Sequence, residues 1–298
     1  MHEIKNILAC LDLTYIDPVM VEYAAFFAET TGAENVYFLH VIQEYDLPDK
    51  GGRDLPDEEE LYELIAQKID AEVDDGFRKN IPVKTETLVE AEDASVAIID
   101  FIAETKTDIV LIGQKFGTRR EARYGHKVMS GADCDIMIIP ERVKYRIQKI
   151  LCTTDCSKES ETAFKRALKI AEKTGAAVES YFLYNTAETY FPATTISSAE
   201  TQKERFQKEY AGFLERMGQP PESIRCHFSE LDPSENQVDK VYKTAENENA
   251  DLIVVGAAGA VADATTLLGN IAENFNNLEK KIPLLIIKNK KSKRFFLI

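Results

Sequence analysis

Short apolar runs alternate along this chain with longer segments in which apolar residues recur every three or four positions. Strands are predicted over Asn6–Leu11, Asn35–Ile42, Val83–Leu88, Asp108–Ile112 and Asp135–Ile139. A second set follows over Lys149–Thr154, Val178–Tyr184, Ile224–Ser229, Leu252–Val255 and Leu284–Ile287. Strands separated by helical stretches are the pattern of a parallel sheet covered by helices on its faces. The helices between them are punctuated. Asp17-Pro18 reads as a capping carboxylate before a proline at the first helical position, and Gly32 as a left-handed helix end. Ser157 and Gly175 bracket a counterpart whose Ala163, Phe164, Ala167, Leu168 and Ala171 make one apolar stripe. A further helix carries Leu61, Leu64, Ile65, Ile69, Val73 and Phe77 in one half, and Phe206, Tyr210, Phe213, Leu214 and Met217 in the other. These stripes are read as core.

The two sets are copies in register. Ile7-Leu8 with Asp12 returns as Ile150-Leu151 with Asp155, Gly32 returns as Gly175, and Asp108–Gly113 returns as Asp251–Gly256, all 143 residues apart. One offset shared by an acid after a first strand and a glycine after a fourth indicates two units of one fold. With 298 residues, each unit has roughly 150, enough to bury its own core. Arg142–Arg146 is too short for a free linker, so close packing of the two domains is expected.

Charge narrows the partners. Lys and Arg total 36 against 51 Asp and Glu, a net −15 that repels a phosphate backbone, so no nucleic-acid partner is expected. Five cysteines, no secretory leader and no apolar run of membrane-spanning length point to a cytoplasmic protein with reduced thiols and no membrane span. Cys152 and Cys156 are close enough to suggest a redox pair, but a strand residue and its exit loop favour free thiols. The four histidines have no metal-ligand spacing, and no metal residues are assigned; His40, at a strand end, reads as packed.

In an open parallel sheet, ligands sit beyond the carboxyl ends of the strands where strand order reverses. The loop there in the second half reads Gly256-Ala-Ala-Gly259, nine residues, Gly269-Asn270, and then a helix from Ile271. Glycines at both ends let backbone N–H groups surround an anion, with the helix N-terminus adding a favourable dipole, so phosphate is the expected guest. The matching loop of the first half runs Gly113-Gln-Lys-Phe-Gly117, seven residues, Gly125-His126, with bulky Phe116 and His126. It carries Lys115, Arg119, Arg120, Arg123 and Lys127. Three readings stay open for it: a solvated basic face, a surface pairing with an acidic patch of the other domain, or a remodelled anion site. Asp12 and Asp155 either cap the following turn or contact a ligand. The tail, basic over Lys288–Arg294 and then Phe295-Phe-Leu-Ile298, reads as an interface-packed last strand.

An Asp after the first strand, with G-x2-G-x9-G after the fourth, resembles the adenine-nucleotide-binding universal stress proteins, and the duplication resembles their tandem form. The resemblance covers nearly the whole chain. It implies two doubly wound α/β domains forming an intramolecular pseudo-dimer: 1–143 with a degenerate phosphate loop, and 144–298 with the intact one. It places Asp155 at the ribose, Thr153 and Asn185 beside the base, and Gly256, Gly259, Gly269, Asn270 and Ile271 around the phosphates of ATP, ADP or AMP, with or without Mg²⁺. Two departures are visible. Asn270 stands where the family has Ser or Thr, and the loop between the glycines has one acid, Asp263, and no Lys or Arg.

The role so implied is nucleotide-dependent sensing or regulation in a stress response, not catalysis, since neither loop supplies a general base or an acidic pair for Mg²⁺. Slow ATP hydrolysis and a nucleotide-free interaction scaffold with an unidentified protein partner are the alternatives.

Overall fold

The computed structural model describes residues 3–42, 58–77, 83–90, 93–115, 127–128, 130–158, 160–184, 199–230, 236–257 and 280–288. These fall into two compact units dividing between Arg146 and Ile147, with 280–283 grouped in the first. The first unit holds β1 (Asn6–Leu11), α1 (Asp17–Thr31), β2 (Asn35–Val41), α2 (Glu58–Gly76), β3 (Lys84–Glu90), α3 (Ala94–Thr105), β4 (Ile109–Gln114) and β5 (Asp135–Pro140). The second holds β6 (Lys149–Thr154), α4 (Ser160–Thr174), β7 (Ala177–Tyr184), α5 (Ala199–Arg216), β8 (Cys226–Glu230), α6 (Gln237–Asn247), β9 (Leu252–Gly256) and β10 (Leu284–Ile287).

Within the first unit the strands lie in the order β3-β2-β1-β4-β5, and within the second β8-β7-β6-β9-β10, every pair parallel. Each chain segment builds outward from its first strand and then returns to that strand's other side. Strand order therefore reverses between β1 and β4, and between β6 and β9, which is the doubly wound α/β fold expected. Consecutive residues Ile7, Leu8 and Ala9 are fully buried, as are Ile150, Leu151 and Cys152. Both faces of these strands are covered, which is why they read as continuous apolar runs and not as alternation.

The repeated Asp108 and Asp251 act as clamps on the strand starts. Asp108 Oδ2 accepts from the N–H groups of Lys5 (2.9 Å) and Asn6 (3.1 Å), and Asp251 Oδ2 accepts from that of Gln148 (3.0 Å). Backbone conformation repeats as well. Leu13 and Cys156 both have φ 58°, Lys106 has 53° against 56° for Asn249, and Gly32 has 68° against 73° for Gly175, each pair 143 apart (156 − 13, 249 − 106, 175 − 32). Both glycines end their helices as predicted, Gly32 N–H bonding Ala28 O and Gly175 N–H bonding Ala171 O, each at 2.8 Å.

Helix starts differ from expectation. The residue capping α1 is Ile16, with no side-chain cap bond, and Asp17 lies inside the helix, 1% exposed. Ser157 precedes α4 by three residues and accepts the Ser160 N–H on its Oγ at 3.2 Å. Two further helices, α3 and α6, are capped by Asp93 and Asn236, whose side chains accept from Ser95 and from Val238 and Asp239.

The apolar stripes are mostly core, with Leu61, Phe206 and Met217 half-buried and two further revisions. Leu64 is 51% exposed, and in α4 the buried set is Ala163, Phe164, Ala167 and Ile170, Leu168 and Ala171 being half-buried. Phe164 meets Phe213 of α5 edge-on at 5.0 Å, which locks α4 and α5 together over the sheet. All five cysteines are free, and burial pushes the Cys10 and Cys156 thiols up to about 12, so these are inert packing groups. His40 is buried with Nδ1 3.1 Å from Leu11 O, as a packed residue. No described helix is long and apolar enough to cross a membrane.

Candidate functional site

In the second unit β6 and β9 run side by side with Cys152 level with Val254, so Thr154 and Gly256 end the two strands together. The crevice beyond them is where the strand order reverses. Its wall on the β6 side is a tightly bonded turn. Thr154 Oγ1 accepts from Cys156 N–H and lies within bonding distance of Ser160 Oγ, both at 3.0 Å. Asp155, half-buried, accepts the Ser157 N–H on Oδ1 at 3.0 Å and so braces the turn. Cys156 holds the left-handed φ that few non-glycine residues adopt, and Arg216 of α5 pins it there. The guanidinium Nη2 donates to Cys156 O at 2.8 Å and Nε to Glu161 at 3.1 Å, over the Phe213 ring at 5.7 Å. On the β9 side, Ala257 N–H donates to Ile287 O at 2.9 Å and fixes where the chain leaves the sheet.

Of the residues predicted for this site, Thr153, Asp155 and Gly256 are thereby brought to the carboxyl ends of β6 and β9. Asn185, Gly259, Gly269, Asn270 and Ile271 lie outside the described residues, as do the acid Asp263 and the tail from Asn289 onward.

The first unit furnishes the same crevice differently. Cys10 is level with Ile112 on β1 and β4, which puts Asp12 beyond β1 beside the exit of β4. There Lys115, 7% exposed, donates its Nζ to Asp12 Oδ2, and Thr14 Oγ1 donates to Asp12 Oδ1 at 2.6 Å. Both oxygens of Asp12 are therefore engaged by the protein's own donors. Gly113, first glycine of this loop, is a packing glycine: a Cβ there would lie 3.1 Å from Ile16 Cδ1 and 3.3 Å from Met20 Sδ of the adjoining segment. Asp17, which the sequence presents as a cap, turns its carboxylate back to accept the N–H groups of Asp12 (3.2 Å) and Leu13 (2.7 Å). Burial, with the nearby charges of Asp12 and Glu72, outweighs these two bonds and pushes its carboxyl up to about 7.

Two of the five basic residues in this segment are described, and both pair within their own unit. Lys115 takes Asp12, and Lys127 contacts Asp93 at 3.3 Å. The Ser95 hydroxyl, then Lys127, holds the Asp93 carboxyl down at about 2. Neither of these pairs reaches outside the unit. Arg119, Arg120 and Arg123, with Phe116, Gly117, Gly125 and His126, lie outside the described residues. Sequence reasoning missed the Lys115–Asp12 contact, although the repeat offset held a signal. Lys115 falls where the second copy has Ala258 (258 − 115 = 143), beside an Asp present in both.

The chain's relatives agree with this architecture. The model of the universal stress protein family matches twice, over residues 3–140 and 146–288. Among solved structures, a universal stress protein from Archaeoglobus fulgidus DSM 4304 is 20% identical with a TM-score of 0.62, covering 96% of this chain and 97% of its own. A putative universal stress protein from Pseudomonas aeruginosa UCBPP-PA14 is 15% identical with a TM-score of 0.64, covering 96% and 94%. At these identities the structural likeness speaks to the fold. No functionally curated protein matches the chain.

Proposed function

The chain belongs to the universal stress protein family, in tandem form, and from that premise we propose that it binds one adenine nucleotide, in the crevice of the second unit, as a regulatory or sensing protein. The observation that carries this reading is the difference between the two crevices. In the first, Lys115 neutralises Asp12 from within; in the second, the residue corresponding to Lys115 is Ala258, whose side chain carries no charge.

The chemistry of the remaining groups fits the guest. An ionised carboxylate is an acceptor, suited to the hydroxyl donors of a ribose. Gly256 begins a glycine-spaced loop whose backbone donors suit phosphate, and phosphates bring their own Mg²⁺ where it is present. With no Lys or Arg from Ala260 to Leu268, affinity rests mainly on backbone dipoles and on enclosure of the base.

Calorimetric titration of the full chain with ATP is expected to give about one site. Asp155→Ala should weaken binding by about tenfold, the worth of roughly one charge-assisted hydrogen bond, while Asp12→Ala leaves it unchanged. Two sites per chain, or sensitivity to Asp12 and not Asp155, would overturn the assignment. Mass spectrometry of small molecules that co-purify with the protein gives an independent check, and a nucleotide-free scaffold would retain none.

A further inference from the structure

At the opposite end of the second unit's sheet, three residues far apart in sequence come together. Glu179 is near the start of β7, His227 near the start of β8, and Glu248 follows the last turn of α6. His227 Nε2 lies 2.6 Å from Glu179 Oε2, and its Nδ1 lies 3.6 Å from Glu248 Oε1. One ligand atom from each of the three residues can be chosen so that all lie within 4.8 Å of one another. All three are half-buried, with side-chain exposures of 13%, 14% and 24%. We propose that Glu179, His227 and Glu248 form a binding site for a divalent transition-metal ion such as Zn²⁺.

Four features support it. The donor set, one imidazole and two carboxylates, is one that zinc accepts. Two of the ligands stand on adjacent parallel strands, a rigid base. The second oxygen of Glu179, Oε1, is held from outside the cluster by Lys149 at 3.0 Å, which orients the other oxygen as an outer-shell partner does. The carboxyl end of α6 adds partial negative charge beside Glu248.

The duplicated fold provides the control. Leu8 and Leu151 are equivalent by the repeat offset; Leu8 is level with Tyr37 and Leu151 with Glu179, so Tyr37 stands in the first unit where Glu179 stands in the second. The same tracing through Leu39 and Tyr181 matches Leu88 to His227, and Thr105 matches Glu248 by the offset alone (248 − 105 = 143). There Tyr37 packs edge-on against Phe101 at 5.4 Å. The sheet of the first unit therefore closes without this charged trio, and the set in the second unit is an addition to the fold.

Metal binding has to open the short contact. Two ligand atoms on a tetrahedral ion with bonds of about 2.0–2.1 Å stand roughly 3.3 Å apart, so the Nε2–Oε2 pair widens by about 0.7 Å and any proton between them leaves. Arg225 opposes the incoming charge, and with a 65% exposed side chain and a long contact it is the group that swings aside.

The test uses the full chain, stripped with a chelator and titrated with Zn²⁺ by calorimetry. One equivalent should bind with Kd of about 10 μM or tighter, weaken about tenfold or more in His227→Gln, and tighten in Arg225→Ala. Co²⁺ substitution should give d–d bands without a thiolate charge-transfer band, which separates this site from the five cysteines. Glu248→Gln provides a second loss variant should His227→Gln fail to fold, as judged by circular dichroism. Absence of Zn²⁺ binding, binding unchanged in both loss variants, or a thiolate band would overturn the proposal. Its outcome is independent of nucleotide, whose proposed crevice lies at the opposite end of the sheet, beyond the carboxyl ends of β6 and β9.

Discussion

Asp17 makes the first unit less stable as pH rises, and Asp17→Asn should remove that dependence. The carboxyl is 1% exposed and titrates near 7 when folded, because burial and the negative charges of Asp12 and Glu72 outweigh the two N–H donors. Unfolded, it titrates near the ordinary aspartate value of about 3.9. Between those values the folded state holds a proton that the unfolded state has released. This group's contribution is therefore complete below about pH 4, falls as pH rises through 7, and is constant above. The rise from the ordinary value corresponds to about 4 kcal/mol, of which about 3 kcal/mol lies between pH 5 and pH 8. Asn retains an oxygen to accept the Leu13 N–H, and the second copy tolerates the uncharged Ser160 at the matching place (160 − 17 = 143). Urea unfolding of both proteins at pH 5 and pH 8, followed by circular dichroism, supplies a double difference in which every other titrating group cancels. The stability of Asp17→Asn relative to wild type should improve by about 2–3 kcal/mol on going to pH 8. A difference that does not vary with pH would show that the N–H donors, and not burial, govern this carboxyl.

Gly175→Ala should cost about 1 kcal/mol by urea unfolding: its φ is 73°, and since an added Cβ meets nothing within 4 Å, the penalty is backbone strain alone. If Asn270 faces the terminal phosphates as the family resemblance implies, ATP and ADP should compete nearly equally for the wild type. Asn270→Ser should then shift preference toward ATP by about 1 kcal/mol.

The strands were legible because the interior ones are buried on both faces and appear in sequence as uninterrupted apolar runs. The ends of the helices at Gly32 and Gly175 were legible because a left-handed C-cap selects glycine. Asp17 misleads for a physical reason. A short carboxylate before a proline satisfies the local rule for a cap, and nothing local reveals that Asp12 and Leu13 would turn their N–H groups toward it. Lys115 escapes in a similar way: a lysine in a basic loop is open to a solvated, a pairing or an anion-binding reading until the register of β1 against β4 places Asp12 within its reach. His227 and Glu179 are 48 positions apart and share no spacing a motif would encode; parallel pairing of β7 and β8 alone makes them neighbours.

Duplication turns these differences into an internal experiment. Whatever the fold itself requires should be present twice at the same offset, and the left-handed residues after Asp12 and Asp155, the helix-ending glycines and the clamping Asp108 and Asp251 all are. What is present once is not needed to close a sheet. Among the described residues, Lys115 on Asp12, Arg216 on Cys156, and the Glu179–His227–Glu248 cluster each occur in one copy. Each either occupies a crevice, shapes its wall or gathers ligands. A left-handed Leu13 or Cys156 costs on the order of 1 kcal/mol wherever it occurs, and both copies bear it at the residue following the crevice aspartate. The second copy adds Arg216, bonded to the carbonyl of that strained turn beside Asp155, in a unit with alanine at the matching place of the lysine, whereas the first commits the same turn to an internal ion pair. The geometry common to both units builds the turn beyond the first strand, and the side chains peculiar to each, Lys115 on Asp12 in the first and Arg216 on Cys156 in the second, give the two turns different surroundings.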